Sequence, residues 1–258
     1  NLSFYELVNV PFIASYLCAS FLVYFLVTGI SMLRSLDMAE AAVEAQCACI
    51  GNVGFLGIPM LAMLMGDAAV VWVMLVLSMD LLVFGSLLVI LIVGSRDGRM
   101  TLDVLKSVGL GLIKNPMLMA MVAGLLWSSS GKPMPVPAAE FFDILGAAAT
   151  PGALFAIGAS LASKSAERLT TAGWLAFCKL FLHPIAVAIA ALLVFPVAPY
   201  PAAVMIAAAA LPVAGNIFIV ATHYNVAPMR VSASIFISTV ASVFTVSIVI
   251  AWVGKLYA

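Results

Sequence analysis

The sequence predicts an all-α integral membrane protein, an inverted-repeat helical fold in which two proline-broken helices cross. Three observations lead to this fold class. The chain is 65% hydrophobic and only 9% charged, whereas soluble domains are about 25% charged. Apolar stretches of about 20 residues, the length that crosses a bilayer as a helix, recur along nearly the whole chain. Two of these stretches carry glycine, asparagine and proline near their centres, at residues 51–59 and 211–216.

Eight membrane spans are predicted from segment length and from the turn residues between segments. Helical periodicity gives no help here, because many segments are apolar on all sides. A polar connection with an interfacial lead-in, residues 95–113, separates three spans from the following five. The predicted spans are residues 10–33, 41–65, 68–94, 115–127, 140–162, 171–195, 200–222 and 229–254.

The distribution of lysine and arginine predicts the orientation of the chain in the membrane. If the connections between spans are assigned to alternate sides, one side holds most of the basic residues and the other holds only Lys132 and Lys255. Cytoplasmic loops are enriched in basic residues, so the richer side is predicted to be cytoplasmic and both termini to lie outside an inner cell membrane. The basic residues on the cytoplasmic side are Arg34, Arg96, Arg99, Lys106, Lys114, Lys164, Arg168 and Arg230.

The two broken segments predict an inverted repeat. A broken backbone survives in a membrane only where it is buried in protein or lines a cavity, because lipid offers no hydrogen bonds. The broken spans, two and seven, run in opposite directions, as an inverted repeat requires. We therefore expect residues 1–94 to be an incomplete first repeat of three helices and residues 114–258 a second repeat of five. The first repeat is expected to lack two helices at its start.

Several motifs resemble the auxin efflux carrier family, including its bacterial malonate-transporter-like members. Residues 51–59, GNVGFLGIP, resemble the fourth helix of that family, Lys114-Asn115-Pro116 the start of its sixth helix, and residues 210–221, ALPVAGNIFIVA, its ninth helix. The resemblance implies ten helices in two inverted repeats, of which eight are present here. It also implies a scaffold of helices one, two, six and seven, through which a homodimer forms, and a transport domain that moves against this scaffold.

The resemblance implies secondary active transport of a small organic anion, a malonate-like carboxylate or an auxin-like acid, across the lipid bilayer. Each proline lacks an N–H group and is expected to free a carbonyl four residues earlier, that of Phe55 or of Ala208. The half-helices after the prolines are expected to begin with uncapped N–H groups, which favour a bound anion. A glycine-packed kink without a ligand is the structural alternative. The predicted substrate-binding residues are Asn52, Gly54, Pro59, Pro212, Gly215 and Asn216.

Polar residues within the spans are candidates for coupling transport to H⁺ or Na⁺. Charged residues are costly inside a membrane and often functional. Lys179 is expected to pair with Asp80 or with a freed carbonyl of a break, although a purely structural role is the alternative. No metal or other cofactor is predicted, and the four cysteines are interpreted as small core residues. The candidates for ion coupling are Asp80, Lys179, His183 and Gln46.

Two other functions fit the same sequence. One is a sodium-coupled carrier of the bile-acid type, which has the same crossed-helix plan, and the other is a non-transporting receptor or remnant. An enzyme is not predicted, since the residue patterns of membrane proteases are not found. Because there is no P-loop of the GxxxxGK[ST] type, an ion gradient or the membrane potential is expected to drive transport. The formal net charge is zero, and this gives no indication of a nucleic-acid partner.

Overall fold

The computed structural model describes residues 9–97, 109–110, 116–162 and 169–256. Within these ranges four helices are long and apolar enough to cross a membrane, and they coincide with the predicted first, third, sixth and eighth spans. The total of eight spans and the inverted repeat stay predictions. Residues 98–108 of the predicted connection lie outside the described residues, as do Lys114 and Asn115. The four membrane-length helices are Val10–Leu33, Ala69–Ser95, Leu169–Val194 and Pro228–Leu256.

The α-helices of the described residues are numbered in chain order. Two pairs of helices continue into one another through single π-helical turns, at Asp80–Gly85 and Cys178–Leu182. A third π turn, Val53–Gly57, leads directly into a helix, and a fourth, Ala190–Val194, ends one. The helices are α1 (Val10–Leu33), α2 (Met38–Cys49), α3 (Ile58–Met65), α4 (Ala69–Met79), α5 (Ser86–Asp97), α6 (Pro116–Ser129), α7 (Val136–Ala162), α8 (Leu169–Phe177), α9 (His183–Ile189), α10 (Pro199–Ala209), α11 (Asn216–His223) and α12 (Pro228–Val253).

The two broken spans each consist of two short helices, neither of which crosses a bilayer alone. α2 leads to α3 through the π turn, and α10 leads to α11 through an irregular segment. α2 and α10 are buried along almost their whole length. Both are rich in alanine, and small residues let neighbouring helices approach closely. The breaks therefore lie inside the helical bundle, where protein groups can bond to the irregular backbone.

The surface of the fourth and fifth spans is largely apolar. On the described part of α7, six large apolar side chains are exposed, and on α6 Leu126 and Trp127 are exposed as well. Three of the four cysteines are buried and all four are free, whereas Cys18 is exposed on α1. The exposed large apolar side chains on α7 are Val136, Phe141, Phe142, Ile144, Leu145 and Phe155.

A carboxylate that lies inside α2 holds three elements of the bundle together. Glu44 is fully buried. Its Oε2 atom accepts hydrogen bonds from Ser31 Oγ at 2.6 Å and Arg34 Nη1 at 2.9 Å, and its Oε1 atom accepts one from Arg230 Nη1 at 2.8 Å. The end of α1, the middle of α2 and the start of α12 therefore meet at one ion-pair network. Arg34 and Arg230 were both assigned to the cytoplasmic side, and the network places them together.

We expect Glu44→Gln to destabilise the folded protein by about 3–5 kcal/mol, because it removes the carboxylate in direct contact with a buried guanidinium and leaves only a more distant, partly exposed one. The charge at risk is that of Arg230, whose side chain is only 10% exposed. The matched control is Glu40→Gln, since Glu40 lies 3.7 Å from the same guanidinium and is 33% exposed. We expect this control to cost about 0–1 kcal/mol. Unfolding of both variants in one detergent measures the difference, and equal losses would contradict the prediction.

Candidate functional site

The two breaks are paired with each other through their backbones. The N–H group of Asn52 donates to the carbonyl of Pro212 at 2.8 Å, and the N–H group of Ala214 donates to the carbonyl of Ile50 at 3.1 Å. These bonds form a short antiparallel bridge between two segments that are buried. Lipid cannot satisfy broken backbone groups, so each break supplies the partners that the other requires. The predicted contact between the broken spans is confirmed.

Side chains satisfy two further backbone groups of the second break. The N–H group of Val213 donates to Ser238 Oγ at 3.1 Å, and Ser238 is fully buried in α12. The carbonyl of Ala209, the last residue of α10, accepts a hydrogen bond from Lys179 Nζ. The expectation that Pro212 frees the carbonyl of Ala208 is wrong, because the N–H group of Leu211 donates to it at 3.3 Å as the helix ends.

The first half-helix begins before its proline and not after it as predicted, whereas the second begins at Asn216, after Pro212. The first half-helix begins with the π turn at Val53. The helix is therefore interrupted just before Val53 and not at Pro59. In a π turn hydrogen bonds run from residue i to i−5, as from the N–H group of Ile58 to the carbonyl of Val53. Pro59 is then the second residue of α3, where proline is tolerated, and it lies on the half-helix away from the backbone bridge.

The N-termini of both half-helices lie next to the bridge without a side-chain cap, although the N–H group of Val53 donates to the carbonyl of Gly51 at 2.7 Å and that of Phe218 to the carbonyl of Gly215 at 3.1 Å. Asn52 precedes the π turn and Gly215 precedes α11, and neither makes a capping hydrogen bond through its side chain. Asn52 is 6% exposed. Asn216 is the first residue of α11, and its Oδ1 atom is buried with no hydrogen-bond partner among the described residues. Two positive helix ends and two amide side chains therefore lie close to the same bridge.

Glycine allows the two breaks to approach this closely. A Cβ atom at Gly57 would lie 2.7 Å from Leu211 Cδ1, which is nearer than real Cβ atoms come. A Cβ atom at Gly51 would lie 3.2 Å from Lys179 Cε and 3.3 Å from Leu211 Cβ. Gly54 and Gly215 are both half-buried, and a Cβ atom at Gly215 would meet nothing within 4 Å.

A buried polar cluster connects the crossing to α1 and to the third span. Tyr16 Oη donates to Asp80 Oδ1 at 2.7 Å, and Lys179 Nζ lies 3.2 Å from His183 Nδ1. The other ring nitrogen of His183, Nε2, lies 2.9 Å from Ser20 Oγ. Asp80 and Lys179 interact electrostatically but form no direct ion pair. Of the two partners predicted for Lys179, the structure selects the carbonyl of the break.

Two buried oxygen atoms near this cluster have unused hydrogen-bonding capacity. Asp80 Oδ2 has no partner among the described residues, although Oδ1 is bonded to Tyr16. Gln46 Oε1 is likewise unpartnered in the part of the chain that the structure describes, and Gln46 is only 3% exposed. Buried oxygens that lack a donor are costly, which makes both atoms candidates for binding an ion or a proton.

The comparison with known families decides the assignment. The profile of the family described as "Membrane transport protein" matches residues 94–250, which is more than half of the chain. This chain belongs to that family of membrane transport proteins. A curated relative from Rhizobium meliloti (strain 1021) carries the description "Putative malonate transporter" and is 28% identical over 248 residues. The match covers 94% of this chain and 77% of that relative.

The transport-protein family confirms the resemblance to auxin efflux carriers and the prediction of a helical membrane transporter. Sequence reasoning missed several residues that build the site. Glu44 lies one and a half turns before the break, and its position within an otherwise apolar span was the available signal. Tyr16 and Ser20 lie four residues apart on α1 and so share one helix face. Ser238 carried no sequence signal, because serine is frequent throughout α12.

We expect Ser238→Ala to destabilise the protein by about 1–3 kcal/mol, the cost of leaving a buried donor without a partner. The donor in question is the N–H group of Val213. Ser234→Ala is the matched control, since Ser234 is fully buried one turn away on α12 and bonds only to the carbonyl of Arg230 in its own helix. Denaturation of the two variants side by side measures the contrast. A Ser238→Ala variant as stable as the control would show that this bond does not hold the break.

Proposed function

We propose that this protein is a secondary active transporter that moves a small organic anion, a malonate-like carboxylate, by alternating access. The observation that carries the proposal is the pairing of two uncapped half-helices at one buried bridge. Family membership supports a transport function, and the description of the Rhizobium meliloti relative supports a dicarboxylate substrate. The sodium-coupled carrier of the bile-acid type is not favoured by these relatives.

The chemistry of the breaks suits a carboxylate. The first N–H groups of a helix have no partners within the helix and carry partial positive charge, so they bind anions. The amide groups of Asn52 and Asn216 add hydrogen-bond donors beside them. In our proposal the substrate is bound by these donors and by the backbone at Gly54 and Gly215. Pro212 shapes the second break, and Pro59 stiffens the half-helix that follows the first.

The wider architecture is part of the same proposal. We infer that the chain forms eight spans arranged as two inverted repeats in an inner cell membrane, with both termini outside. The helices that carry the breaks form the transport domain, which moves against scaffold helices that include α6 and α7. The scaffold also forms the interface of a homodimer. Broken helices in antiparallel positions support this plan, because inverted-repeat transporters place their substrate site between such helices.

An ion gradient drives transport in this proposal, since the sequence contains no P-loop for ATP. Asp80 is the proposed coupling group. Its Oδ2 atom is unpartnered and its charge interacts with Lys179. Binding of H⁺ or Na⁺ at this carboxylate removes negative charge near the crossing and so favours an anion there. Gln46 is a secondary candidate because its Oε1 atom is unpartnered among the described residues. Lys179 and His183 are not preferred as coupling groups, because their side chains already have hydrogen-bond partners.

We expect Asn52→Ala and Asn216→Ala each to weaken malonate binding about 5- to 150-fold, the equivalent of roughly 1–3 kcal/mol for a lost buried hydrogen bond. The control is Asn225→Gly, which changes an exposed asparagine in the turn after α11 and keeps its positive φ of 51°. Binding of radiolabelled malonate to the purified protein in nanodiscs gives the affinity. Uptake into proteoliposomes then separates a transporter from a receptor that binds without transport.

The proposal of an anion site at the breaks fails if both alanine variants bind malonate as the control does while remaining folded. It also fails if the unmodified protein binds no dicarboxylate. If malonate binds but is not taken up under any imposed gradient, the protein is a receptor or remnant rather than a transporter.

We expect Asp80→Asn to abolish the dependence of malonate uptake on the H⁺ or Na⁺ gradient, because the variant carries no charge for the ion to neutralise. Tyr16→Phe is the companion variant. It removes the hydrogen bond to Oδ1 but leaves the carboxylate, so its ion dependence should persist. Uptake measured with and without each gradient distinguishes these outcomes. If Asp80→Asn keeps the ion dependence of the unmodified protein, Asp80 is structural.

A further inference from the structure

Lys179 is a fully buried cation without a carboxylate in direct contact. It lies in the π turn Cys178–Leu182 of the sixth span, and its side chain is among the largest with no exposure. No acidic residue lies within ion-pair distance of its amine among the described residues. A buried ammonium is costly unless hydrogen bonds or a counter-charge compensate it. Its position therefore requires a specific explanation.

The amine of Lys179 contacts both broken spans. Nζ donates to the carbonyl of Ala209, at the C-terminal end of α10. A Cβ atom built on Gly51, in the other break, would lie 3.3 Å from the same nitrogen. Helix C-termini carry partial negative charge, which stabilises a cation placed there. The hydrogen bond to Ala209 fixes the ammonium at the crossing itself.

The hydrogen-bond pattern explains why this place in the fold takes a cation. In a continuous helix, the N–H group of Val213 would donate to the carbonyl of Ala209, four residues earlier. The break directs that N–H group to Ser238 instead, so the carbonyl is left for Lys179. Gly51 leaves room for the side chain. His183 Nδ1 provides a second contact and Ser20 orients the imidazole from its far side.

We propose that Lys179 is a resident cation of the crossing, a specificity-determining residue whose fixed charge makes the site select a dianion over a monoanion. This inference rests on the proposed function, and it assigns a role to Lys179 other than ion coupling. The side chain acts through the electrostatic field at the breaks and does not need to touch the substrate. Asp80 does not cancel this field by contact, since its Oδ1 atom is held by Tyr16.

The field of a fixed charge acts in proportion to the charge of the substrate, and this gives the test its signature. For two unit charges about 10 Å apart in an effective dielectric of about 20, loss of the lysine charge weakens binding roughly tenfold per unit of substrate charge. A dianion then loses about 100-fold and a monoanion of similar shape about tenfold. A lysine that only supports the packing of the breaks would weaken both anions by the same factor.

The experiment measures the affinity of the full chain in nanodiscs for malonate and for monomethyl malonate, at a pH at which every carboxylate is ionised. Lys179→Gln removes the charge and retains an N–H donor for the carbonyl of Ala209, and Lys179→Met removes both. Calorimetric affinities do not depend on the fraction of protein that is active, so partial unfolding does not obscure the ratio. The control is Lys255→Gln, which removes a lysine charge from the chain beyond α12.

We expect malonate to lose about ten times more affinity than its monoester in both lysine variants, and neither anion to change in the control. Equal losses for the two anions, or no loss, overturn the role of Lys179 and leave the proposed function intact. If the unmodified protein binds neither anion, both proposals fail. If Lys179→Met does not fold, the affinities of Lys179→Gln alone decide the test. If Lys179→Gln does not fold either, the lysine is structural and the proposal is overturned.

Discussion

The backbone pairing of the two breaks is the interaction on which the rest of the structure depends. Two apolar spans are interrupted where lipid offers no hydrogen-bond partners. The bonds from Asn52 to Pro212 and from Ala214 to Ile50 solve this problem for both spans at once. Neither break is stable in this form alone, so the spans must cross at this point. The half-helix N-termini are brought together as a consequence.

The polar groups around the crossing serve this arrangement. Ser238 and Lys179 satisfy the backbone groups that the bridge leaves over. Glu44 fixes α2, which leads into the first break, to both α1 and α12 through two arginines. Ser238, Lys179 and Glu44 are fully buried, and a buried polar group is tolerated only with partners in place. The same donors and charges give the site its affinity for an anion in the function that we propose.

Sequence patterns predicted the four membrane-length helices and the contact between the breaks, because hydrophobic length and prolines, glycines and asparagines within apolar stretches are local signals. They misplaced the start of the first half-helix, since a π turn before Pro59 shifts the break toward Asn52. They also assigned the freed carbonyl to Ala208, one residue before the one that Lys179 binds. Partners that lie far apart in the chain, such as Ser238 with Val213, leave no local signal and required the structure.

The most direct measurement is an electron cryomicroscopy structure of this chain in nanodiscs, with saturating malonate. We expect density for the anion beside the bridge between residues 50–52 and 212–214, within hydrogen-bonding distance of the amide side chains of Asn52 and Asn216 and next to the N-termini of the two half-helices. Lys179 should remain bonded to the carbonyl of Ala209. Malonate bound elsewhere, or breaks that do not pair through Asn52 and Pro212, would contradict the central claim that the paired breaks form the anion site.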